Sequence, residues 1–173
     1  FDREKVNRTG ANIDYIIKDT ASISRWRLRE RRKSLRFCHI DASHSFHGTF
    51  HEIRLADKLL SRDGVLCLDD FTNLNYSQIL AATFAYLYTK RTNLTMFLVT
   101  NEKAYLCRKS AFAMYSAFVL SNLQQEMADR GIPGTCLART DISRTYSAFH
   151  LRSSNEEDTD TFYGAQIYGH YYK

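Results

Sequence analysis

Two apolar runs that each close in aspartate fix the character of the stretch Phe37 to Phe71, FCHIDASHSFHGTFHEIRLADKLLSRDGVLCLDDF. Leu35–Asp41 (LRFCHID) mixes Leu35, Phe37, Cys38 and Ile40 with polar residues, Val65–Asp70 (VLCLDD) is apolar up to its two acids, and both read as short strands. Between them Phe50, Ile53, Ala56 and Leu59 or Leu60 recur at helical spacing, and Ser61, Arg62, Asp63 and Gly64 supply a turn. Strand, amphipathic helix, strand is the pattern of a crossover unit with parallel strands.

The alternation continues on both sides. Asn12–Asp19 (NIDYIIKD) is a β-branched and aromatic run that closes in an acid, and Thr20–Ser24 offer small polar residues suited to capping a helix. Tyr76–Tyr88 places Ile79, Leu80, Phe84 and Leu87 on one helical side. Thr95–Lys109 divides into two short strands around Asn101, Glu102 and Lys103, an antiparallel hairpin, and Ala111–Arg130 is a long helix. A chain of 173 residues with 44% hydrophobic content has enough apolar surface for one core. The expectation is an α/β fold with a mainly parallel sheet and helices on both faces.

Arg130–Thr135 (RGIPGT) contains the only proline and two of the seven glycines, so it divides a main domain, residues 1–130, from an extension, 131–173, packed on it. Within the extension Thr145–Arg152 and Phe162–Tyr172 read as the strands of a hairpin around SSNEEDTD. Neither a secretory leader nor an apolar run of membrane-spanning length is evident, which makes a cytoplasmic protein without a membrane partner the default. The four cysteines lack paired spacing, and Cys38, Cys67 and Cys107 lie in apolar runs, as reduced thiols do. Much of the +5 net charge sits in Arg25–Arg36 (RWRLRERRKSLR). Trp26 is the only aromatic in this run, whereas a nucleic-acid surface interleaves several, so the segment reads as a solvated helix face. An acidic partner remains open.

In parallel α/β sheets ligands bind outside the carboxyl ends of the strands. Asp19, Asp41, Asp69 and Asp70 all fall at such ends, and Asp41, Asp69 and Asp70 are candidate oxygen ligands for a hard cation such as Mg²⁺. His44, three residues past Asp41, is a candidate proton acceptor beside it. Each has an ordinary alternative: Asp41 can cap the next helix, Asp69 or Asp70 can bind backbone amides, and His44 can pack in its loop. His39, Asp41 and His44 spell H-x-D-x-x-H, but no further His or Cys cluster completes a zinc site. His47 and His51, four apart, share a helical side that reads as solvated.

The segment HIDASHSFHGTFHEIRLADKLLSRDGVLCLDDF resembles the I-D-G-x-H-S-Y and G-G-x-x-x-x-D-D motifs of class I S-adenosylmethionine-dependent methyltransferases, in the branch of sugar and macrolide O-methyltransferases. The resemblance covers about Asn12 to Tyr115. It implies a Rossmann-like sheet ending in an antiparallel hairpin, with Mg²⁺ on Asp41, Asp69 and Asp70 and His44 as base. It further implies adenine contact at Asp19, with Thr20 beside it, and a ribose contact at Asp2. Ala42 stands where the family has glycine, and Asp63-Gly64 replaces its double glycine.

The family's glycine-rich cofactor loop has no counterpart, Gly10 standing alone, so the resemblance implies an incomplete methyltransferase domain, the C-terminal portion of a longer enzyme that binds the cofactor weakly by itself. The expected function of the parent is Mg²⁺-assisted methyl transfer from S-adenosylmethionine to a hydroxyl of a small-molecule acceptor. The competing expectation is a truncated or degenerate, non-catalytic interaction module that uses Arg25–Arg36 and the Tyr-rich tail as surfaces. The paired acids and the missing fingerprint disfavour a Rossmann-type oxidoreductase.

Overall fold

The computed structural model describes residues 20, 33–89, 92–139, 148–153, 161–162 and 165–166. Asp2, the strand expected over Asn12–Asp19, residues 25–32 of the basic run and residues 167–172 of the tail lie outside the described residues. In chain order the elements are β1 (Leu35–Ile40), α1 (Phe46–Leu59), β2 (Leu60–Leu68), α2 (Gln78–Thr89), β3 (Leu94–Val99) and β4 (Ala104–Arg108). A helical stretch follows, α3 (Phe112–Phe118) and α4 (Gln124–Asp129) joined through a π-helical turn, Val119–Leu123. Next come β5 (Thr135–Arg139), β6 (Phe149–Ser153) and the two-residue strands β7 (Thr161–Phe162) and β8 (Ala165–Gln166).

The fold is mixed α/β. Six strands form one sheet in the order β1-β2-β4-β3-β6-β5. β1 and β2 pair parallel, as do β3 and β6, while β4 runs antiparallel to both of its neighbours and β5 antiparallel to β6. Side chains alternate across a strand, and the cores on the two faces divide accordingly. Leu66, Leu68, Ala104 and Leu106 join Ile53 and Ala56 of α1 and Tyr86 of α2 in one core. Val65, Tyr105 and Cys107 join Phe112, Tyr115, Val119 and Leu123 of the later helical stretch in the other. Phe97 and Leu98 are adjacent yet share that second core, because β3 bulges there: Met96 pairs with Leu106 and Leu98 with Tyr105.

Five expectations are adjusted. The sheet is mixed rather than mainly parallel, because three of its five strand pairings are antiparallel. The hairpin over Thr95–Lys109 forms as β3 and β4, but inside the sheet rather than at its end, since β6 extends the sheet beyond β3. The turn at Ser61–Gly64 is a bulge within β2: from Leu35 to Phe37 β1 advances two residues while β2 goes from Leu60 to Val65. Gly64 is required at its close, where a Cβ would sit 2.6 Å from the Leu35 carbonyl oxygen. Leu80 is 40% exposed; Ile79, Ala82, Thr83 and Tyr86 form the buried stripe of α2 instead.

In the extension, Phe149–Ser153 pairs with Thr135–Arg139 rather than with the last segment, because Phe149 and Leu151 alternate into the second core and need a place in the main sheet. Among the described residues β7 and β8 pair only with each other.

One ion pair ties four elements together at the end of the sheet where β1 and β2 begin. The Arg108 guanidinium donates to Asp57 Oδ1 and the Asp57 carbonyl, and reaches the Leu60 carbonyl at 2.9 Å. Tyr86 Oη and Thr92 Oγ1 donate to Asp57 Oδ2 at 2.7 and 2.9 Å, and the phenol is held well above its ordinary pKa, first by burial and then by that carboxylate. Both charged side chains are only 15% exposed. Removing one partner therefore leaves a charge with little water to solvate it. Asp57→Ala is expected to lower unfolding free energy by about 3–5 kcal/mol in urea denaturation; a loss below about 1 kcal/mol would contradict this role.

Candidate functional site

The pairing of β1 with β2 builds the site. His39 pairs with Cys67 and Ile40 with Leu68, and the Asp69 N–H donates to the Ile40 carbonyl at 2.9 Å, one step past the last strand residue. Asp41 and the Asp69-Asp70 pair therefore leave two parallel strands at the same level, at their carboxyl ends.

Residues 41–45 are anchored to α1. Ser45 caps that helix, its hydroxyl accepting from the Gly48 N–H at 3.2 Å, so Asp41 is not used as the cap. Ser43 Oγ lies 2.9 Å from Ser45 Oγ, and Gly48 makes room: a Cβ there would sit 1.9 Å from the Ser43 hydroxyl. Thr49 Oγ1 donates to the Ser43 carbonyl at 2.6 Å. Glu52, 4% exposed, accepts from the Ser43 N–H at 3.4 Å and from Thr20 Oγ1 at 2.9 Å. Thr20 thus braces α1, while Asp2 and Asp19, expected with it at a cofactor, lie outside the described residues.

The second loop turns sharply. Asp70 adopts φ +52°, a left-handed conformation that Asp and Asn tolerate better than other non-glycine residues. Its N–H donates to Asp69 Oδ1 at 3.0 Å, and Asn73 Nδ2 donates to Asp70 Oδ1 at 3.0 Å. The Phe71 N–H reaches the Glu102 carbonyl at 2.7 Å and Thr72 Oγ1 the Asn101 carbonyl, which ties this loop to the β3–β4 turn.

His44 is clamped between the loops. Its Nε2 lies 3.2 Å from Asp70 Oδ2 and 3.9 Å from Asp41 Oδ1, and its ring stacks on Tyr76 with centroids 4.0 Å apart. A carboxylate only accepts, so Nε2 carries the proton and Nδ1 is the basic nitrogen of the neutral ring. Asp69 stands apart: its Oδ2 meets Lys103 Nζ and lies 3.0 Å from His39 Nε2. The Lys103 ammonium holds the Asp69 carboxyl below the usual carboxylate range, and Asp69 in turn raises the Lys103 ammonium.

Among the described residues, ligating atoms thus cluster in two groups within 4.8 Å, Asp41–His44–Asp70 and Asp69–Asp70–Glu102, with Asp70 in both. Beside Asp41, Ser43, His44 and Asp69 is a cavity of about 10 Å³, close to the least that holds one water. Carboxylate oxygens of Asp41 and Asp70 fit a hard divalent cation, and Asp41, 54% exposed, is open to one. Asp69 fits less well, because a lysine already neutralises it. The H-x-D-x-x-H triplet does not converge, since His39 turns to Asp69 while His44 turns to Asp70. His47 and His51 are exposed on α1 and belong to neither group.

Sequence reasoning missed three participants. Glu52 carried a signal, lying in the inward stripe of α1 with Thr49, Ile53 and Ala56. Glu102 and Lys103 read only as hairpin turn residues; nothing local showed that β4 would pair with β2 and bring its turn to Asp69. All four cysteines are free thiols, and burial pushes Cys107 up to about 12, so that thiol stays protonated. No helix among the described residues is long and apolar enough to cross a membrane. No protein-family model, curated protein or solved structure matches this chain.

Because Asp69 is held below its ordinary pKa of about 3.9, its contribution to stability is complete above that value and disappears as pH falls through the folded one. Lys103, raised above about 10.4, contributes fully below that value and loses its share as pH rises through the folded one. The stability difference between wild type and Asp69→Asn should therefore be flat from about pH 5 to 9 and close below about pH 4. Urea titrations across this range check it; a gap that widens in acid would contradict the pairing.

Proposed function

We propose that this chain takes part in methyl transfer from S-adenosylmethionine to a hydroxyl of a small-molecule acceptor, as a class I methyltransferase of Rossmann-like build. One observation carries the reading: His44, held between Asp41 and Asp70, sits at the carboxyl ends of two adjacent parallel strands. The antiparallel hairpin β3–β4 in the same sheet adds support.

In this reading Asp41 and Asp70 would hold Mg²⁺, which when bound would supply Lewis acidity to an acceptor hydroxyl, and S-adenosylmethionine would supply the methyl on a sulfonium leaving group. His44 Nδ1 would accept the proton that the acceptor hydroxyl loses on methylation. The imidazolium so formed is stabilised by Asp70 at 3.2 Å and by Asp41 at 3.9 Å. The Tyr76 stack and the pinned 41–45 loop keep the ring in one orientation, so the larger part of the rate gain is positional. A non-catalytic interaction module is the second reading, and Lys103 favours it by neutralising an acid expected to bind metal.

Label transfer from methyl-labelled S-adenosylmethionine to a panel of hydroxylated small molecules, measured with the complete gene product, separates the two. His44→Gln should reduce turnover by about 10²- to 10⁴-fold, and Asp70→Asn should abolish the Mg²⁺ response. A His44→Gln variant that turns over like wild type would overturn the assignment, and no transfer to any acceptor would favour the module.

A further inference from the structure

A cleft of about 540 Å³ opens at the end of the sheet opposite the aspartates, within the size range of small-molecule sites. It is lined by Lys33, just ahead of β1, by Asp57 and Lys58 at the end of α1, by Arg62 in the β2 bulge, and by Arg108 and Lys109 where β4 ends. Five cationic side chains thus meet one carboxylate among the lining residues. That carboxylate is already engaged by Arg108, Tyr86 and Thr92, and the guanidinium of Arg108 is likewise fixed in place by Asp57 and Leu60. Among the described residues no carboxylate pairs with Lys33, Arg62 or Lys109.

We infer that this cleft binds a small anion bearing two or more phosphoryl groups. Like charges gathered around a concave surface focus a positive potential that only an anionic occupant relieves. Lysine ammonium groups bind phosphate as point charges, and the side chains of Asn93 and Ser110, also in the lining, are neutral donors for further oxygens. The spread of cations around the walls matches several anionic groups better than one. Lys33 holds φ +59°, an uncommon conformation for a side-chain-bearing residue, and its N–H donates to the Lys58 carbonyl at 3.3 Å, which fixes both lysines' backbones at one wall. Among the described residues no aromatic ring lines the cleft to stack a base, so a single-stranded nucleic acid is disfavoured. The site is separate from the Asp41–His44–Asp70 group and does not depend on the methyl-transfer reading.

Isothermal titration of the 173-residue chain with pyrophosphate, at about 0.15 M salt, tests the inference, with orthophosphate and a single-stranded oligonucleotide as comparison probes. Saturable one-to-one pyrophosphate binding is expected, about tenfold or more tighter than orthophosphate. The double variant Arg62→Gln/Lys109→Gln, both exposed positions, should weaken it at least about tenfold with an unchanged thermal midpoint. A double variant that binds pyrophosphate like wild type, or the absence of saturable binding, would overturn the site. Tighter binding of the oligonucleotide, weakened by the same substitutions, would overturn the assigned ligand class in favour of a nucleic-acid surface.

Discussion

The parallel pairing of β1 with β2 is the constraint on which the rest of the structure depends. Two strands joined by a helix lie side by side only if the helix crosses over the sheet, and α1 does so by burying Thr49, Glu52, Ile53, Ala56 and Leu59. The Asp69 N–H bond to Ile40 is the last rung of that ladder. Past it the chain must leave both strands at once, and residues distant in sequence become neighbours: His44 reaches Asp70 across 26 positions, and His39 reaches Asp69 across 30. Each exit is then fixed locally, one by the Ser45 cap and the buried Glu52, the other by the left-handed turn at Asp70.

Charge is divided between the two ends of the sheet. Acids and histidines gather at the carboxyl ends of β1 and β2, whereas lysines and arginines gather where those strands begin. At each end one pair is closed off internally. Asp57 and Arg108 are enclosed and hydrogen-bonded on nearly every side, which suits a structural fastening. Asp69 and Lys103 sit nearer to water, so their attraction is screened and contributes less to stability than to holding the β3–β4 turn beside the 69–73 loop. Asp41 is different, being half exposed and bound to no cap, which is why the proposed cation chemistry centres on it and Asp70 rather than on Asp69.

Much of this arrangement was legible in the sequence where it depended on local pattern. Apolar runs closing in Asp41 and Asp70 marked β1 and β2, the stripe through Ile53 and Ala56 marked α1, and the Asn101–Lys103 turn marked the hairpin. What depended on distant partners was not legible. The placement of β4 between β2 and β3 brought Lys103 to Asp69, and no residue near either position announces it. β5 was missed and β6 given the wrong partner because strand pairing in the extension is decided by the second core, in which Phe149 and Leu151 find Val119 and Leu137. The bulge in β2 looked like a turn because Ser61, Asp63 and Gly64 serve either purpose; only the nearby Leu35 carbonyl distinguishes them.

Paramagnetic broadening by substoichiometric Mn²⁺, a stand-in for Mg²⁺ on oxygen ligands, tests most directly whether strand-end convergence creates a cation site. Amide resonances of Asp41, His44 and Asp70 should broaden first and together, and Mg²⁺ should reverse the effect. Broadening that begins instead at His47 and His51 on α1, or that spares Asp41 while affecting Asp70, would contradict the account.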